Sequence, residues 1–235
     1  MKHLFVVIAL FFSTFIWAQN ACNTYFPLNK NSERTYITYN AKNNPEGKML
    51  YKITEFNELK DGYTANINIS FEDKKGNNAY EKTTEVSCKD GIFSMDFQSM
   101  IPAGIQDQLD DNIEMSFENQ KIDFPANPQV GDKLPDVSYN FNMKSGGANV
   151  MNMEITITER EIVARETITT AAGEFDCIKY KAVSKYNINA MGMTMPGQSG
   201  TDYTWFSGKV GMVKSESYNR NGKLESSTLL ESFKN

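Results

Sequence analysis

The chain is predicted to be mostly β: a single curved antiparallel sheet, partly closed by one or two short helices. Three observations carry this. Apolar and polar residues alternate with period two over long runs, turn residues separate those runs, and a single stretch has helical spacing instead.

The first element is a leader. Met1, Lys2 and His3 precede an apolar run over residues 4–17, broken only by Ser13 and Thr14, and Ala18 offers a small residue for cleavage before Gln19. This is the pattern of a secretory signal peptide. The run is shorter than the roughly 20 residues of a membrane span. The expectation is a signal peptide over residues 1–18, one β-rich domain over 19–235, and no transmembrane span in the mature chain. Such a protein is exported, either periplasmic or secreted. Ala21-Cys22 raises a lipid anchor through Cys22, but Gln19 stands where a lipobox wants an aliphatic residue, so ordinary cleavage after Ala18 is favoured.

Alternation is unbroken over residues 65–71, 137–143 and 151–157, and each run must be a strand with one buried face. Asp61-Gly62, Lys75-Gly76-Asn77, Ser145-Gly146-Gly147 and Asn221-Gly222 supply tight turns between runs, so neighbouring strands are antiparallel. Residues 210–218 and 224–233, flanking Asn221-Gly222, form the strongest hairpin signal. Roughly ten to thirteen strands follow from this spacing. Residues 96–111 differ: Phe97, Met100, Ile101, Ile105 and Leu109 approach a helical stripe, which Pro102 and Gly104 interrupt. Pro125, Pro128 and Pro135, with Gly131 among them, mark an irregular connection.

Composition removes whole classes of function. The chain carries a net charge of −5 and has no broad basic face, so nucleic acid is not a partner. Its single histidine is His3, inside the leader, so the mature protein has no histidine base, ligand or nucleophile activator. No G-x-S-x-G occurs, Gly197-Gln198-Ser199-Gly200 being one residue short, and no serine has a lysine three positions on. Glycine motifs for nucleotides are missing as well. The chain is read as a non-enzyme with no catalytic residues and no cofactor. Three cysteines, Cys22, Cys88 and Cys177, allow one disulfide and one leftover thiol in an oxidising compartment, and spacing does not choose the pair.

The methionines are the most unusual feature. Met143, Met151 and Met153 fall on two strands joined by residues 144–150, and Met191, Met193 and Met195 alternate later. Thioethers can take Cu(I), yet no histidine backs them and no cysteine is near. No metal is therefore assigned, and an adaptable apolar lining is the favoured reading. Tyr139, Phe141, Met143, Met151, Met153, Ile155, Met191, Met193 and Met195, with Trp205, are the candidate lining of an apolar groove, a closed core being the competing arrangement.

Three segments carry a family resemblance. Cys22-Asn23-Thr24-Tyr25-Phe26-Pro27-Leu28 opens the mature chain. Residues 170–177, with Ala172-Gly173-Glu174-Phe175-Asp176-Cys177, and residues 205–216, with Val210-Gly211-Met212-Val213-Lys214, follow in the second half. Together they resemble the TapB-like domain-of-unknown-function family of exported β-proteins. The resemblance implies a half-open barrel like that of periplasmic lipoprotein carriers, and it brings no catalytic residues. The expected function is binding or carriage of a lipid-like or peptide ligand. The alternative is an envelope protein that interacts with another protein and has no small-molecule ligand.

Overall fold

The computed structural model describes Cys22 and residues 25–96, 113–118 and 121–235. The leader over residues 1–18 lies outside the described residues, and so does the helical stretch expected at residues 96–111 except for Asp96, which ends a strand. The described chain is almost entirely strand: β1 (Glu33–Asn40), β2 (Pro45–Leu59), β3 (Gly62–Asp73), β4 (Asn78–Lys89), β5 (Ile92–Asp96), β6 (Ile113–Glu118), β7 (Lys121–Pro125), β8 (Val137–Ser145), β9 (Ala148–Thr170), β10 (Gly173–Ala190), β11 (Met193–Ser207), β12 (Gly211–Asn219) and β13 (Leu224–Lys234).

The strands form one sheet in the order β6-β8-β9-β10-β11-β12-β13-β1-β2-β3-β4-β5-β7. Every pairing within it is antiparallel. The order itself forces curvature. β6 and β7 are the two edges of the sheet, yet only residues 119 and 120 separate them in sequence. So short a link spans at most about 11 Å, and the two edges must therefore come round to meet. The sheet is nearly closed into a barrel, and its antiparallel pairing is what the alternation and the tight turns predict.

Side chains bridge the seam. Arg160, on β9 and 3% exposed, donates from Nη2 to the Asp123 carbonyl on β7 (2.7 Å) and from Nη1 to the Pro135 carbonyl (2.7 Å). Its Nε donates to the Tyr180 hydroxyl (2.9 Å). A buried cation is tolerated only when its donors are satisfied, and here they are spread over β7, β10 and the loop before β8. The Tyr139 hydroxyl donates to the Lys121 carbonyl (3.4 Å), and Phe124 packs edge-on to Tyr180 (5.1 Å).

The N-terminal segment fills one part of the interior. Phe26 stacks on Phe93 at 4.1 Å and meets Phe124 and Phe206 at 5.5 Å. The Tyr63 hydroxyl donates to the Phe26 carbonyl (2.8 Å), and buried Arg34 donates to the carbonyls of Pro27 and Val210 (2.6 Å each). Cys22 is bonded to Cys88 of β4, closing a loop with a sequence separation of 66. A second core gathers Tyr36, Phe175, Cys177, Trp205, Val210, Val213 and Leu230 where the β9–β10 hairpin reaches β13, with Phe175 edge-on to Phe233. Among the described residues no helix is long and apolar enough to cross a membrane.

Candidate functional site: a methionine-lined wall

The strand register shows what the methionines do together. Residues paired directly across an antiparallel ladder share a face of the sheet. Met143 pairs with Met151, which pairs with Ala190, which pairs with Met193. The next rung is Phe141, Met153, Ile188 and Met195, and the third is Tyr139, Ile155 and Tyr186. Two rungs across four strands, and a third across three that meets Gln198 on β11, thus present an apolar face. The opposite face is polar: Asn152 donates to Asn142 (2.7 Å), Asn187 to Glu154 (3.2 Å) and Thr194 to Asn189 (2.6 Å).

On β8, β9 and β11 coverage of the apolar face falls toward the hairpin tips, whereas on β10 Tyr186 is 37% exposed and Ile188 and Ala190 are half-buried. Tyr139, Phe141 and Ile155 are buried, with Ile122 of β7 and Val137 packed against Tyr139 and Ile155. Met143, Met151 and Met153 are half-buried. Met195, Met193 and Met191 are 51, 69 and 82% exposed. The first trio behaves as lining, whereas the second stands in solvent. Expected as a strand residue, Met191 instead sits in the two-residue β10–β11 turn with Gly192, both at positive φ (50° and 78°). Such turns normally take Asn, Asp or Gly at the first position, so an exposed methionine there follows from no local rule. The Met191 N–H donates to the Val150 carbonyl (2.9 Å), tying this tip to the β8–β9 hairpin. β12 pairs with β11 only from Gly200 onward, which leaves residues 193–199 paired to β10 alone.

Trp205 stands apart from the wall. It is 3% exposed, held between the ammonium groups of Lys179 (4.7 Å) and Lys214 (4.6 Å), and its Nε1 donates to Glu166 (2.5 Å). A register shift between Trp205 and Phe206 lets the tryptophan enter the β13-side core while Phe206 joins the N-terminal aromatic cluster. Trp205 is a core anchor and presents no open ring face to a ligand, so the groove role expected of it is not what the structure assigns.

The cysteines resolve into one bond and one buried thiol. Cys22 and Cys88 are joined, and Cys177 is free and buried. Because its sulfur is in the disulfide, Cys22 has no thiol to carry a lipid thioether. Burial first, then the charges of Asp176 and Glu166, push the Cys177 thiol up to about 12, so it is not a nucleophile at neutral pH. Among the described residues no group of His, Cys, Asp and Glu is placed to hold a metal ion. The carboxylate of Glu159 is exposed and ion-paired to Lys181 (2.7 Å), which holds it below its ordinary range. Two cavities lie away from the wall: one of about 210 Å³ lined in part by Lys82, Ser94, Met95 and Lys121, and one of about 300 Å³ at Tyr25, Asp176 and Lys209.

Sequence reasoning missed Arg160 and Arg34. Both are lone arginines in strands, and alternation marks their positions as any polar residue. It also missed the N-terminal plug, whose only signal is Tyr25-Phe26-Pro27 directly after Cys22.

Fold and wall together define a class: a nearly closed antiparallel β-barrel with an aromatic plug inside and exposed methionines at one set of hairpins. The chain belongs to the DUF3108-like family, whose profile matches residues 30–230. It is similar to a solved structure described as a "putative lipoprotein" from Parabacteroides distasonis ATCC 8503, with a TM-score of 0.70 and 25% identity, over 90% of this chain and 99% of that one. It is also similar to a "putative exported protein with YmcC-like fold" from Bacteroides fragilis NCTC 9343, with a TM-score of 0.68 and 25% identity, over 91 and 100%. No protein of curated function matches the sequence.

Proposed function

We propose that the protein is a non-enzymatic binding or carrier module of the bacterial envelope that holds an apolar ligand, lipid-like or peptide, against the methionine wall. The observation that carries this reading is the uncovered end of the wall: Met191, Met193 and Met195 extend a buried apolar row into solvent. Fully covering one such side chain is worth about 1.5–3 kcal/mol, so a ligand laid along the tips gains several kcal/mol. Flexible thioethers suit ligands of varied shape. The disulfide and the exported relatives support an envelope location.

The test is fluorescence titration with N-phenyl-1-naphthylamine, an apolar dye. The mature protein should bind it while folded, and Met193→Asp/Met195→Asp should weaken binding at least tenfold with no change in the circular dichroism spectrum. Undiminished binding by the folded variant would refute the reading. The envelope-interaction alternative keeps one observation of its own, the unpaired outer edge of β11 over residues 193–199. A partner's extended strand could pair there, although Pro196 removes one donor.

A further inference from the structure

We propose that Met191, Met193 and Met195 form an oxidation-sensitive modification site through which peroxide-type oxidants switch the apolar wall off; this rests on the binding function proposed above. Six of the chain's twelve methionines, Met143, Met151, Met153, Met191, Met193 and Met195, fall within residues 143–195. An apolar wall alone does not require that, since leucine or isoleucine would serve on an exposed strand. What methionine adds is a thioether that reacts. Exposure sets the order of attack: Met191, Met193 and Met195 are 82, 69 and 51% exposed, whereas Met49, Met95, Met143, Met151, Met153 and Met212 are at least partly covered. The left-handed turn at Met191 holds the most accessible sulfur at the tip, beside the half-buried rungs.

The chemistry balances with hydrogen peroxide as oxidant. The thioether sulfur attacks one peroxide oxygen, an S–O bond forms and the O–O bond breaks. The departing hydroxide takes up the peroxide proton and leaves as water. Sulfur loses two electrons and the peroxide gains them. The product sulfoxide is polar, a strong hydrogen-bond acceptor and chiral. Three of them along the open end would replace the surface a nonpolar ligand covers with one that prefers water. The disulfide between Cys22 and Cys88 indicates an oxidising compartment, where such oxidants meet the protein directly.

The experiment treats the mature, disulfide-bonded protein with graded hydrogen peroxide, then reads peptide masses and N-phenyl-1-naphthylamine affinity on the same samples. Sulfoxide should appear at Met191, Met193 and Met195 before Met49, Met153 or Met212, and dye affinity should fall at least tenfold as the three are converted. Reducing the oxidised protein with methionine sulfoxide reductases should restore the peptide masses and the dye affinity together. Equal affinity before and after conversion of the three, or earlier oxidation of the covered methionines, overturns the switch while leaving the binding function standing. Failure of the untreated protein to bind dye overturns the binding function and the switch with it.

Discussion

The two halves of β11 make a useful contrast. At Phe206 the strand packs into the aromatic cluster around Phe26, with a disulfide, two buried arginines and the N-terminal segment locked nearby. Eleven residues earlier, roughly 36 Å along an extended chain, the same strand displays Met193 and Met195 to solvent with β12 no longer beside it. One half is over-determined by interlocking contacts, and the other has an apolar face that nothing among the described residues covers. Stability therefore resides at the plugged end, whereas the proposed binding surface lies at the exposed hairpin tips.

The contrast predicts that substitutions will separate the two properties. The largest stability loss should come from Phe26→Ala, about 3–5 kcal/mol for a buried ring making three aromatic contacts, read by urea unfolding. Cys88→Ser, which frees the N-terminal segment, should cost about 4 kcal/mol by loop entropy, with apolar-dye affinity at the far end changed less than threefold. Arg160→Met should cost about 1–3 kcal/mol, because the Asp123 and Pro135 carbonyls lose their buried donor. At the hairpin tips, Met193→Asp should move stability by less than about 0.5 kcal/mol, as an exposed site does, and yet weaken dye binding. A large stability loss from Met193→Asp would break the contrast outright.

A pH series sharpens the same division. Burial raises the Cys177 thiol to about 12 and also raises the Tyr36 and Tyr63 phenols. Each is neutral when folded and ionises more readily when unfolded, so above about pH 9 the unfolded state binds fewer protons and stability falls as pH rises. This stability is fully present below the unfolded values and is lost toward the folded ones. Urea midpoints at pH 8, 9 and 10 should decline in order, and Cys177→Ala should flatten the first part of the decline. Iodoacetamide at pH 8 should leave Cys177 unmodified in the folded protein.

Much of the architecture was legible because β structure writes itself in period two. Residues 65–71, 137–143 and 151–157 fall inside β3, β8 and β9, and Asn221-Gly222 turns β12 into β13 as expected. Closure was not legible, since it depends on β6 and β7 finding opposite edges, a pairing no local pattern encodes. Within the wall, alternation put Tyr139, Phe141, Met151, Met153 and Ile155 on one face, and register then joined them to Met193 and Met195. Alternation says which residues share a face but not whether that face is covered. For that reason Trp205, buried between two lysines, and Met193, in open solvent, looked alike in sequence.

The most direct measurement is native mass spectrometry of the mature protein purified from the organism that makes it, beside the Met193→Asp/Met195→Asp variant prepared identically. A bound mass of lipid or peptide size on the wild type, lost from the folded variant, is the predicted result. A bare polypeptide mass in both, or the same bound mass retained by both, would contradict the assignment of the methionine wall as the binding surface.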